Sequence, residues 1–171
     1  MAGVAGPRSY LTADARAGAT DNGKASMTIA QAAHQLVRND AGWSDAFGQP
    51  FTVTYAYRAS PPSVMPSDTA GFQRFNAAQI DAAELGIRAW ADVANIRFVR
   101  VGAGDTGEGA YSDNATILLG GYTSGESGVA AFSYFPGATD PVSPAGDVWV
   151  NVALSYIAQP SVGSYGASVL V

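Results

Sequence analysis

Residues 51–58, FTVTYAYR, alternate between a side carrying Phe51, Val53, Tyr55 and Tyr57 and a side carrying Thr52, Thr54, Ala56 and Arg58. A period of two with aromatic and β-branched side chains predicts a strand. From residue 76 the period changes. Ile80, Ala83, Ile87, Trp90 and Ala94 recur at helical spacing, Asn76 stands where a cap belongs, and Gln79 completes a capping box. Asn95 suits a left-handed stop, so the helix is expected over 76–94. A shorter helix is expected over 28–39, opened by Thr28 with Gln31 and carrying Ile29, Ala32, Ala33, Leu36 and Val37 on one face. Pro61, Pro62 and Pro66 enforce an irregular connection. Short apolar stretches follow at 96–101, 115–122, 129–135 and 147–153, and 166–171 opens another. Strand–helix–strand suggests a parallel crossover. The expectation is an α+β chain, α/β-like, with a twisted mixed sheet of about five strands and helices packed on it. Ile80, Ile87, Trp90, Ile96, Phe98, Ile117, Leu119 and Trp149 should form the core.

Residues 1–25 are rich in Ala and Gly, show no period, and read as a mobile leader. The whole chain is 171 residues, 47% apolar and only 13% charged, enough apolar mass for a packed domain. Its net charge of −5, with Lys24 as the sole lysine, argues against nucleic acid as a partner. No apolar run reaches the roughly 18–20 residues of a membrane span, and no membrane partner is expected. There is no cysteine and one histidine, His34. Thiol chemistry, disulfides and multi-histidine metal sites within this chain are thereby excluded.

Little else points to chemistry. The loop at 102–109, GAGDTGEG, lacks a phosphate-binding ending and is acidic, so a plain strand connection is the better reading. Asp105, Glu108 and Asp113 match no calcium-loop spacing. His34 has no sequence-placed partner. Asp81 and Glu84, one turn apart near a helix start, read as helix-dipole placement; a glycosidase would need two carboxylates facing one cleft. Trp43, Trp90 and Trp149 read as core anchors.

Four segments in one order carry a resemblance. They are SMTIAQAAHQLVRNDAGW at 26–43, the strand at 51–58, FNAAQIDAAELGIRAWADVANIRFVRV at 75–101, and AAFSYFPG at 130–137 followed by GDVWVNVALS at 146–155. Together they resemble serralysin-type zinc metalloproteases of the metzincin clan. In that family a Tyr-Gly and five residues lead into the zinc motif H-E-x-x-H-x-x-G-x-x-H. Here Tyr165-Gly166 is followed by Ala167, Ser168, Val169, Leu170 and Val171. The resemblance implies that 26–171 is the N-terminal part of a metzincin-like peptidase domain, behind a propeptide-like leader at 1–25. It implies zinc for the full-length domain with no ligand or catalytic residue in this chain, and calcium in C-terminal repeats. An extended peptide or protein substrate would pair with the edge segment Ala130, Ala131, Phe132, Ser133 and Tyr134. Secretion by a type I-like route, a monomeric state and no peptidase activity of this chain alone complete the expectation. A non-catalytic peptide-binding module using the same edge is the alternative. The uncapped SVLV ending reads as the first turn of a buried helix, so Tyr55, Val148 and Val150 are expected to face solvent in this chain.

Overall fold

The computed structural model describes residues 18–19, 25–36, 42–44, 49–140 and 142–170. The chain divides into two compact units, Met1–Ala41 and Gly42–Val171. In the first, β1 (Gly18–Ala19) pairs antiparallel with β2 (Ala25–Ser26). Most of the leader expected at 1–25 lies outside the described residues. Helix α1 (Ile29–Leu36) starts where its capping box places it. Gln31 N–H donates to Thr28 Oγ1 at 3.2 Å, and Thr28 N–H donates to Gln31 Oε1 at 2.9 Å. The expected extension to residue 39 lies outside the described residues.

The second unit is built on a six-stranded sheet. Its strands are β3 (Phe51–Tyr57), β4 (Ala70–Gln73), β5 (Ile96–Arg100), β6 (Ile117–Ser124), β7 (Ala131–Ser133) and β8 (Val148–Asn151). They run β5-β3-β6-β8-β7, with β4 against the second half of β6. β3 pairs parallel with β5 and β6, and β6 pairs parallel with β8. β4 and β7 are the antiparallel members. The parallel crossover from β3 to β5 contains α2 (Ala77–Val93), capped by Asn76 and Gln79 in a reciprocal box. After β8 come α3 (Ser155–Ala158) and α4 (Tyr165–Leu170), and α4 packs on both α2 and α3. Gly166 makes that packing close: a Cβ there would collide with the Tyr156 carbonyl oxygen.

Strand alternation sorts the sheet into two faces. Val53, Tyr55, Tyr57, Ile117, Leu119 and Val150 pack under Ile80 and Ala83 of α2 and Ile157 of α3. Ala56 and Leu118, with Ala115, form a smaller cluster on the outer face.

Four expectations change. A sixth strand, β4, follows the proline stretch: β3 pairs with β6 only as far as Leu119, and β4 takes the ladder from Gly121 onward. Asn95 is not left-handed, because Asp68 is the only non-glycine with positive φ among the described residues; α2 ends on an extended Ala94. Ile80, Ile117, Leu119 and Trp149 are buried, and Ile87, Ile96 and Phe98 pack partly buried against the core, but Trp90 is 58% exposed. The stripe continues past Ile87 while the layer beneath does not, since α2 has 17 residues and β5, beside its C-terminal end, has 5. Finally, Tyr55 and Val150 are buried and Val148 is partly so, beneath the helices already present.

Candidate peptide-binding edge

The five edge residues expected from the sequence lie together at the end of the sheet. Ala131, Phe132 and Ser133 form β7, which among the described residues pairs with β8 alone. Ala130 precedes it, its carbonyl accepting from Asn151 N–H at 2.8 Å. Tyr134 follows, its N–H donating to the Asp147 carbonyl at 3.0 Å. In an antiparallel ladder the backbone groups of alternate residues point to opposite sides. Residues 130 and 134 bond toward β8, so the main chain of Phe132 does too. The N–H and C=O of Ala131 and Ser133 therefore point to the open side. Such a row is a template for one more strand.

Side chains alternate across the same strand. Ala131 stands beside Val150 and Ser133 beside Val148 on the helix-covered face, while Phe132 stands beside Trp149 on the outer face. There Phe132 sits 5.8 Å from Tyr122 and 6.0 Å from Tyr134, centroid to centroid.

The end of the sheet that carries this edge is fastened by a residue whose role the sequence pattern did not show. Asp147 is 1% exposed, and its Oδ2 pairs with Arg58 Nη2 at 2.6 Å. Its Oδ1 accepts from Leu118 N–H at 2.9 Å. One carboxylate thus joins β6 and the end of β3 to β8, while its own carbonyl holds Tyr134. Burial pushes the Asp147 carboxyl above its ordinary pKa, against the pull of Arg58 and the Leu118 N–H. The Arg58 guanidinium also lies over the Trp149 ring, 5.2 Å from its centroid. Gly120 makes room for both, since a Cβ there would stand 2.9 Å from Trp149 and 3.1 Å from Arg58 Cδ. Alongside lies a cavity of about 280 Å³ bordered by Met65, Tyr134, Arg58 and Trp149.

Serralysin C of Dickeya chrysanthemi is 36% identical over 155 residues, covering 90% of this chain and 31% of that protein. Metallopeptidase AprA of Pseudomonas marginalis is 35% identical over 156 residues, 88% of this chain and 31% of that protein. Serralysin A of Dickeya chrysanthemi is 36% identical over 158 residues, again 90% and 31%. Over the stretch it covers, the chain is similar to serralysins. It spans about three tenths of the length of these relatives. No protein-family model matches it.

In this serralysin-type segment the other residues noted in the sequence take separate places. Tyr165-Gly166, which by resemblance matches the pair preceding the family's zinc motif, opens α4. His34 is in α1, in the other unit. Glu108 pairs with Arg74 at 2.8 Å, and Asp113 accepts from Ala59 N–H at 3.0 Å and from both Ser60 N–H and its hydroxyl. Among the described residues, no three His, Asp or Glu side chains gather into a group that could hold a metal ion. The described residues do not fit a zinc site.

Asp81 and Glu84 differ more than their spacing suggests. Asp81 is exposed, but Glu84 is a hub between α2, β3 and β5. It accepts from the Tyr55 and Tyr57 hydroxyls at 3.0 Å each and pairs with Arg100 at 3.3 Å. Burial and the Glu84 carboxylate push the Tyr55 phenol up to about 12, and burial with the same charge pushes Tyr57 further in the same direction. Arg100 lies over the Tyr57 ring at 4.7 Å. These contacts clamp α2 to β3 and β5.

Proposed function

We propose that this chain supplies the sheet and the substrate-pairing edge strand of a secreted, zinc-dependent metalloendopeptidase that cleaves extracellular proteins. One observation carries the reading: in a segment related to serralysins, the terminal strand β7 is antiparallel to its neighbour, and among the described residues the main chain of Ala131 and Ser133 is unpaired on the open side. An extended peptide laid along it would exchange N–H and C=O bonds with those two residues. The bonds recognise backbone, and so suit an enzyme acting on many proteins. The segment's part is to bind and align; no hydrolytic step is assigned to any residue in it.

The test is amide exchange of the 171-residue protein, monitored by NMR, with and without a peptide of alternating β-forming residues. Ala131 and Ser133 N–H should gain protection while Phe132, bonded within the sheet, changes little. Ser133→Pro removes one outward donor without touching the bonds to β8 and should abolish the effect. Protection gained at the opposite edge, on β5, would sink the assignment.

A further inference from the structure

We propose that the edge strand selects its partner by one side chain: the residue placed opposite Phe132 is a large apolar one, aromatic above all. This rests on the pairing reading just given. With Ala131 and Ser133 forming the hydrogen-bonded pairs, the position between them is a non-hydrogen-bonded pair. Side chains approach most closely there, with Cα atoms about 4.5 Å apart in antiparallel strands. The residue in that position points to the outer face, because it shares the pleat of Phe132. It therefore enters the row formed by Tyr122, Phe132 and Tyr134, whose rings are already spaced at 5.8 and 6.0 Å. Phe132 is only partly buried and Tyr134 is 38% exposed, so ring surface remains for a further side chain. The flanking residues of the partner point the other way, toward Ala131 and Ser133. Neither of those small side chains offers comparable contact area. The strand is thus permissive at two positions and selective at the one between them.

Aromatic pairs contribute about 0.5–1.5 kcal/mol beyond area burial, which corresponds to roughly a two- to tenfold difference in affinity. The experiment measures binding of the whole 171-residue protein to labelled peptides that share one β-forming host and differ at a single central guest, Phe, Leu or Ala. The Phe guest should bind about three- to tenfold more tightly than the Ala guest, with Leu between them. In Phe132→Thr and in Tyr134→Ser that preference should shrink to about twofold or less, Phe-guest affinity falling more than Ala-guest affinity, with the thermal melt confirming the fold. Equal affinity of all guests for the unaltered protein overturns the selectivity while leaving the edge pairing in place. No measurable binding of any guest, with Ala131 and Ser133 amides unprotected, overturns the pairing reading and this one with it. Concentration-dependent dimerisation lost in Ser133→Pro would assign the edge to a second copy of the chain and overturn both.

Discussion

Replacing Asp147 with alanine tests how the edge-bearing end of the sheet is held. The carboxylate is 1% exposed at the side chain and its partner Arg58 is 10% exposed, so water replaces little of what is lost. A buried cation deprived of its partner costs about 3–5 kcal/mol. The Leu118 N–H, which now donates at 2.9 Å, is left without an acceptor, a further cost of about 1–3 kcal/mol. These two effects share one site and do not simply add, so about 4–6 kcal/mol is expected. Against the usual ~5–15 kcal/mol of a domain, that brings the fold close to its limit. Arg58 Nε is already buried without a hydrogen-bond partner, so the guanidinium has little capacity to adapt. Urea unfolding should show a midpoint lowered by about 1.3–6 M with an unchanged slope, for a slope of about 1–3 kcal/mol/M. The double variant Arg58→Met with Asp147→Ala removes the stranded charge. It should recover all but about 1–3 kcal/mol, the cost of the orphaned N–H. A single-variant cost below about 1 kcal/mol, or a double variant no better than the single, would falsify the idea of a desolvated pin.

Glu84→Gln keeps the shape of the clamp but removes its charge. Weakened bonds from Tyr55, Tyr57 and Arg100 should lower stability by about 2–4 kcal/mol in chemical denaturation, and a loss under about 0.5 kcal/mol would mean the hub is solvated. The raised phenols set a pH dependence: their folded pKa exceeds the ordinary phenol value of 10.0, so their stabilisation is complete below pH 10 and is lost as pH rises through the folded values, about 12 for Tyr55 and higher for Tyr57. Ultraviolet titration compared with Tyr55→Phe and Tyr57→Phe should assign tyrosinate from these two only to the strongly alkaline range or to unfolding; their ionisation near pH 10 would refute the clamp. Ile80→Ala, at a site 1% exposed, should cost about 2–5 kcal/mol, whereas Trp90→Ala on the same helical stripe should cost less than about 1 kcal/mol by thermal or urea melts.

Much of this chain was legible in its sequence wherever the cause lies within a few residues. The two capping boxes are three-residue contacts, and both helices start where they indicate. The alternation in 51–57 is a property of the strand itself, and it assigned Val53, Tyr55 and Tyr57 to one face correctly. The helical turn read in the SVLV ending falls in α4, and the segment 130–134 was singled out through family resemblance and lies at the end of the sheet. What escaped depends on neighbours distant in the chain. Trp90 has the spacing of a core residue, but a periodic stripe carries no information about where the layer beneath it stops. β4 lies just beyond three prolines and becomes a strand because the second half of β6 is open to it. Glu84 meets its tyrosine partners 27 and 29 positions away, and Arg58 meets Asp147 89 positions away. Sequence by itself determined the elements, their caps and their apolar faces, because those follow from interactions along a few turns of backbone. Only the tertiary structure decided which charges are buried against which, and which strand is left at the edge, because sheet order and register bring remote segments together and no local pattern encodes them.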